Sequence, residues 1–218
     1  MKYALMTTCK QRVANYKNEI QEAIDSLACQ VDKVFLTLST DEFDEIPKFN
    51  NCTVVLMKEN LYSFKKYIPL QVLEFDPEDI IVLADDDWKM NPDYVDRMIE
   101  RMGDNDVASL GCGGVIGCFC IMKAKCIEKD FFRYWNKSLI DSRIDDVFLG
   151  NYLKHKGHKG SFAGPNTDTL VREHAKPLIP VSANNPDNTV YPRTFTWVAN
   201  YKPWSFNESE RQDKVQSV

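Results

Sequence analysis

Four short apolar runs constrain this chain more than any other feature: Tyr3–Thr8, Val34–Ser39, Thr53–Met57 and Asp79–Ala84. Each has the length of a strand and lacks a regular polar alternation, the pattern of a strand covered on both faces. Val13, Ile20, Ile24 and Leu27 recur at helical spacing and predict an amphipathic helix over roughly 13–28. Leu61–Phe75 is helical in places and interrupted by Pro69. Strands alternating with helices imply an α/β domain with a mainly parallel, Rossmann-like central sheet flanked by helices.

Further along, Asn91-Pro92-Asp93 reads as a helix start, with Asn91 as cap, and the helix runs through Met102 to stop at Gly103. Val107–Met122 is apolar and carries Gly111, Gly113, Gly114 and Gly117, which suggests two strands joined or kinked at glycine. Ile127–Leu139 and Asp146–His155 read as helices, the second ended by Gly157. Beyond Pro165 the chain is rich in Pro, Asn and Asp, and loops are expected, with aromatics such as Trp197 and Trp204 available to a lid or a core. Residues 1–206 form the expected domain and 207–218 a polar tail or linker, as in a domain cut from a longer chain.

The net charge of −5 and the lack of a basic stripe exclude a nucleic-acid partner. Lys65-Lys66 and the cluster Lys154–Lys159 are short, and a solvated face is the default expectation for both. No leader-like start and no apolar run long enough to span a bilayer are evident, so no transmembrane segment and a soluble, cytoplasmic location are expected. None of the seven cysteines is spaced Cys-x-x-Cys, which excludes zinc-ribbon and thioredoxin readings and leaves buried, reduced thiols.

Ligands of parallel sheets bind beyond the carboxyl ends of the strands. There the sequence places Asp85, Asp86 and Asp87, directly after Ile80–Ala84. Two like charges about 4 Å apart repel by roughly 4 kcal/mol at an effective dielectric near 20. A divalent cation, Mg²⁺ or Mn²⁺, removes that conflict and commonly combines one or two carboxylates with substrate phosphates. If strand alternation continues, Asp85 and Asp87 share a side. Asp residues also serve turns and caps, but three exceed what one turn needs. Trp88 either covers a ligand or simply packs.

Met6-Thr7-Thr8-Cys9-Lys10-Gln11-Arg12 joins the first strand to the first helix, where Thr7, Thr8 or Arg12 would contact a nucleotide. The stretch matches neither a P-loop nor a dinucleotide fingerprint.

With its strand, triple acid and proline-started helix, Asp79–Trp88 resembles the Asp-x-Asp motif of the GT-A fold glycosyltransferases, and most nearly that of small virus-encoded members such as those of chlorella viruses. The resemblance spans roughly residues 2–174. It implies a divalent cation, Mn²⁺ preferred, on Asp85, Asp87 and a late ligand His174, with Asp85 and Asp86 also facing a nucleotide-sugar, most commonly a UDP-sugar. It implies Lys66 (or Lys65) beside the donor, with Arg172 adding positive charge near phosphate. Asp145-Asp146, opening a helix, resembles the acidic pair of inverting members: Asp146 the base for a glycan acceptor hydroxyl and Asp145 its orienting neighbour, or the reverse; in a retaining member neither need be a base. Rival readings are an inactive scaffold that binds carbohydrate or nucleotide, and a sugar-phosphate nucleotidyltransferase. The latter normally has a glycine-rich loop after its first strand, and Thr7–Arg12 contains no glycine.

Overall fold

The computed structural model describes residues 1–110, 119–135, 145–162 and 175–178, all within one compact unit, Met1–Pro186. The expected boundary at residue 206 lies outside the described residues. In chain order the elements are β1 (Lys2–Thr7), α1 (Lys10–Ala28), β2 (Lys33–Ser39) and β3 (Thr53–Met57). A 3₁₀ segment at Tyr62–Tyr67 leads into α2 (Ile68–Val72), β4 (Ile80–Leu83), β5 (Trp88–Met90), α3 (Tyr94–Met102) and β6 (Val107–Ser109). Then follow β7 (Cys120–Lys123), a 3₁₀ turn at Ala124–Cys126, α4 (Phe131–Tyr134), α5 (Asp145–His155), β8 (Gly160–Phe162) and β9 (Ala175–Pro177).

Among the described residues seven strands form one sheet in the order β3-β2-β1-β4-β7-β6-β8, and β5 pairs with β9 in a second, two-stranded sheet. All neighbours in the large sheet pair parallel except β7, which runs against both β4 and β6. The sheet is therefore mainly parallel and flanked by helices, the α/β, Rossmann-like arrangement expected from the apolar runs. β4 is the middle strand, and β1 lies between it and β2, with Leu5 opposite Phe35 on β2 and Leu83 on β4.

Burial explains the pattern. Ile20, Ala23, Ile24 and Leu27, spaced i, i+3, i+4 and i+7, are wholly buried on one face of α1. They share a core with Ala4, Met6, Leu36, Val82, Tyr94 and Met98. Each such side chain contributes about 1.5–3 kcal/mol by leaving water. A second, aromatic cluster centres on Phe64, whose ring stacks on Trp135 at 4.5 Å and on Phe131 at 5.8 Å between centroids. Phe148 and Tyr152 of α5 pack edge-on against Phe131.

Leu61–Phe75 is helical in places, as expected: a 3₁₀ turn ends at Tyr67 and α2 begins at Ile68, with Pro69 in its first turn where the missing N–H costs nothing. Several other expectations are corrected. Asn91 does not hold the cap position of α3; Asp93 does, without a side-chain cap bond. The work falls to Gln30, beyond the end of α1, which donates to the Asn91 carbonyl at 2.9 Å and accepts from the Val95 N–H at 3.0 Å. In the expected helix Ile127–Leu139, the described helical turn is Phe131–Tyr134, and Trp135 is extended. Past Pro165, where mostly loops are expected, the described residues form strand β9 and one residue after it. Lys65 and Lys66 are buried rather than solvated, and Cys29 is exposed rather than buried, while Cys120 and Cys126 follow expectation. Gly157 does end α5: at φ 75° it lets the His158 N–H return to the Leu153 carbonyl, a Schellman stop.

Gln30→Ala removes the tie between α1 and α3 and should cost about 1 kcal/mol, the usual loss for a helix cap, in urea unfolding. An unchanged midpoint would show that the amide bridge is idle. Thiol labelling followed by peptide mapping should find Cys29 modified in the native protein, and Cys120 and Cys126 modified only after denaturation. Burial pushes the Cys126 thiol up to about 12, so it stays protonated and unreactive.

Candidate active site

The three acids occupy the turn between β4 and β5, at the carboxyl end of β4 and next to β1. Two hydrogen bonds pin the backbone around them: Ala84 N–H to the Leu5 carbonyl at 3.2 Å, and Leu178 N–H to the Asp87 carbonyl at 2.8 Å. Because the chain turns after Ala84, the alternation expected to aim Asp85 and Asp87 together does not persist.

Instead the acids divide between two cations. Arg12, in the first turns of α1, bonds through one guanidinium nitrogen to Asp86, and its other nitrogen is 3.5 Å from Asp87 Oδ2. Lys66, from the 3₁₀ segment, donates to Asp85 Oδ1 at 2.7 Å and lies 3.1 Å from Asp145 Oδ2. Asp145 also accepts the Tyr67 hydroxyl at 3.0 Å. Side-chain exposure is 3% for Asp86, 7% for Asp87 and 38% for Asp85, so Asp85 is the accessible acid and the other two are buried. The repulsion among three adjacent carboxylates is thus met by the protein's own cations, a remedy the sequence argument assigned wholly to a bound metal.

Electrostatic shifts follow this layout. Burial works against the Arg12 guanidinium, yet Asp86, Asp87 and Asp85 outweigh it and hold it firmly charged. Burial likewise opposes the Lys66 ammonium, and Asp145 and Asp85 together raise it well above an ordinary lysine. For Asp86 burial dominates and lifts its carboxyl above the usual range despite the pull of Arg12 and Thr8. Tyr67 is pushed well up, first by burial and then by Asp145, so it remains a proton donor.

The fold brings Thr8, Arg12, Lys66, Asp85, Asp86, Asp87 and Asp145 together. Asp146, half-buried, follows Asp145 in the first turn of α5. Thr7 turns its hydroxyl to the Thr37 carbonyl at 2.7 Å, a contact between β1 and β2. Arg172 and His174 lie outside the described residues. Trp88 packs edge-on against Phe119 at 5.1 Å, so packing accounts for it.

Lys65, named from the sequence only as an alternative to Lys66 beside the donor, has a supporting role that sequence reasoning missed. Lys65, nearly fully buried, donates to the Thr8 carbonyl at 3.2 Å and bonds to Glu42 in the loop after β2. It ties the end of β1 to that loop. The available signal was a lysine pair embedded in an apolar stretch, Leu61, Phe64, Tyr67 and Ile68, where a buried charge needs a partner.

The donor chemistry suits a hard divalent cation: the acids of the turn offer only carboxylate oxygen, and Asp86 Oδ2 is buried without a hydrogen-bond partner. Among the described residues no three His, Cys, Asp or Glu side chains converge as a ready ligand set. Such a site would need phosphate and water to complete a metal's coordination.

No family model and no curated protein matches the chain. Solved structures do, and with the strand order above they show a GT-A-like, Rossmann-like α/β fold. One is TarS 1-349 of S. aureus: TM-score 0.52, 14% identity, covering 76% of this chain and 59% of that one. Another is the 2-C-methyl-D-erythritol 4-phosphate cytidylyltransferase, IspD, of Francisella tularensis: TM-score 0.51, 11% identity, covering 90% of this chain and 99% of that one. This chain therefore spans less than two thirds of the TarS chain it matches.

Arg12→Met removes the guanidinium from the buried Asp86 carboxylate and should destabilise the protein by about 3–5 kcal/mol, the scale for breaking a buried pair from one side. A loss below about 1 kcal/mol in urea melts, the range of a surface pair, would show that the pair is effectively solvated.

Proposed function

We propose that the chain is a glycosyltransferase that moves a sugar from a nucleotide donor, a UDP-sugar, to a hydroxyl of a glycan acceptor, using a divalent cation with Mn²⁺ preferred over Mg²⁺. The observation that carries this reading is the acidic turn Asp85–Asp87 at the carboxyl end of a central parallel strand, faced by Arg12 and Lys66. Parallel sheets bind ligands at that edge, and a diphosphate with its cation supplies both signs of charge that such a site accommodates. TarS, a glycosyltransferase, shares the fold.

Asp85, the most exposed of the three acids, and Asp87 would hold the cation, with His174 a further candidate ligand. When bound, the cation supplies Lewis-acid stabilisation of the charge that develops on the leaving nucleoside diphosphate. Lys66, Arg12 and Arg172 offer positive charge to the phosphates, and Thr7, Thr8 and Asp86 border the nucleotide at the β1–α1 junction. Asp146 would take the proton from the acceptor hydroxyl as that oxygen attacks the anomeric carbon. Asp145, tied down by Lys66 and Tyr67, suits an orienting role better than a base that must release and accept protons.

A cytidylyltransferase-like reaction is the second reading, favoured by the 99% coverage of the IspD chain. The two separate on products: nucleoside diphosphate and free or transferred sugar for the first, pyrophosphate from a nucleoside triphosphate for the second. Screening a panel of nucleotide-sugars with Mn²⁺, alongside CTP and UTP with sugar phosphates, tests both. Pyrophosphate release alone would replace the glycosyltransferase reading, and absence of any binding of UDP with Mn²⁺ would leave a scaffold. Asp85→Asn should lower metal-dependent sugar release about a hundredfold or more, the scale of several kcal/mol of lost charge stabilisation. Asp146→Asn should lower acceptor transfer by about 10²–10⁴-fold, as expected for a lost general base.

A further inference from the structure

We propose that in the ligand-free protein the Lys66 ammonium occupies the place on Asp85 that the cation takes, and that cation entry drives Lys66 off Asp85 and onto Asp145. The proposal rests on the reading of Asp85 as a cation ligand and adds how access to that ligand is controlled. Lys66 Nζ lies 2.7 Å from Asp85 Oδ1 and 3.1 Å from Asp145 Oδ2, with only 5% of its side chain exposed. It therefore bridges the acidic turn and the first turn of α5. A divalent ion bound to the same Asp85 oxygen would stand within about 4 Å of that ammonium, and +2 against +1 at that distance repels by roughly 8 kcal/mol at an effective dielectric near 20. The two cannot share the oxygen.

Asp145 gives the displaced ammonium somewhere to go. It is 7% exposed and already fixed by the Tyr67 hydroxyl at 3.0 Å, so it stays put while Lys66 shifts toward it. The incoming diphosphate offers the same ammonium a second anionic partner. Cation alone must break the Lys66–Asp85 contact without that compensation and binds weakly; cation with a nucleoside diphosphate binds well. The exchange also links the two halves of the site, because the ammonium that leaves the donor-side acid tightens on the turn of α5 that carries Asp146.

The test measures Mn²⁺ affinity without nucleotide, by the electron paramagnetic resonance signal of free Mn²⁺, in wild type and in the double variant Lys66→Met/Asp145→Asn. The double variant keeps the net charge of the site and removes both members of a buried pair, a change that folded proteins commonly tolerate. Keeping the net charge limits the change in the long-range field, and loss of the ammonium seated on Asp85 should let Mn²⁺ bind about tenfold more tightly than in wild type. Affinity within about threefold of wild type, or weaker, overturns the proposal. If wild type binds Mn²⁺ in the presence of UDP while the double variant fails this comparison, only the exchange is wrong. If neither protein binds Mn²⁺ even with UDP, the glycosyltransferase reading falls and the exchange with it. A measurement on wild type is independent of the variant's folding: the ¹⁵N resonance of Lys66 Nζ should shift when Mg²⁺ and UDP are added together, and a resonance that stays in place overturns the exchange.

Discussion

Two cations placed against one acidic turn hold this site together. Arg12 comes from the helix after β1 and Lys66 from the 3₁₀ segment before β4, yet both meet Asp85, Asp86 and Asp87 at the end of β4. Like charges gathered on a short turn would otherwise force it apart. Desolvation makes such pairs costly, and they persist when geometry and hydrogen bonds leave few lone pairs unmet. Here the remaining need is local: Asp86 keeps one buried oxygen without a hydrogen bond, at the place where the fold presents its strand ends.

The sheet brings these groups into register. β4, the middle strand, pairs with β1 residue by residue, Ile80 opposite Lys2 through Leu83 opposite Leu5. The start of α1 and the acidic turn therefore leave the sheet side by side. The one reversed strand, β7, continues the sheet from β4 toward β6 and β8. Phe64, Tyr67, Phe131 and Phe148 then lock the 3₁₀ segment to α4 and α5. Tyr67 is both a wall of that cluster and a donor to Asp145, so packing and polar chemistry share one residue.

Much of the fold was legible because its signals are local. Thr53–Met57 reads as a strand from its branched residues and forms one with those ends, and Ile20, Ile24 and Leu27 read as a helix face and are buried as one. Gly157 reads as a stop and adopts the left-handed conformation that a stop requires. Failures came where a distant group replaced a local one. Asn91 looks like a cap, but Gln30, sixty-one residues earlier in the chain, reaches the site first. β5 and β9 were missed because three-residue strands carry almost no periodicity and exist only through each other.

The candidate site divides along the same line. By itself the sequence determined that three carboxylates follow a buried strand, that a basic helix start follows the first strand, and that an acidic pair opens a late helix, since each depends only on residues adjacent in the chain. Tertiary structure alone decided which acid meets which cation: Arg12 takes Asp86 and Asp87, while Lys66 takes Asp85 and Asp145. It also decided that Lys65 and Lys66 leave water. The physical reason is that burial and charge pairing are set by what lies across space, and chain order does not encode those distances.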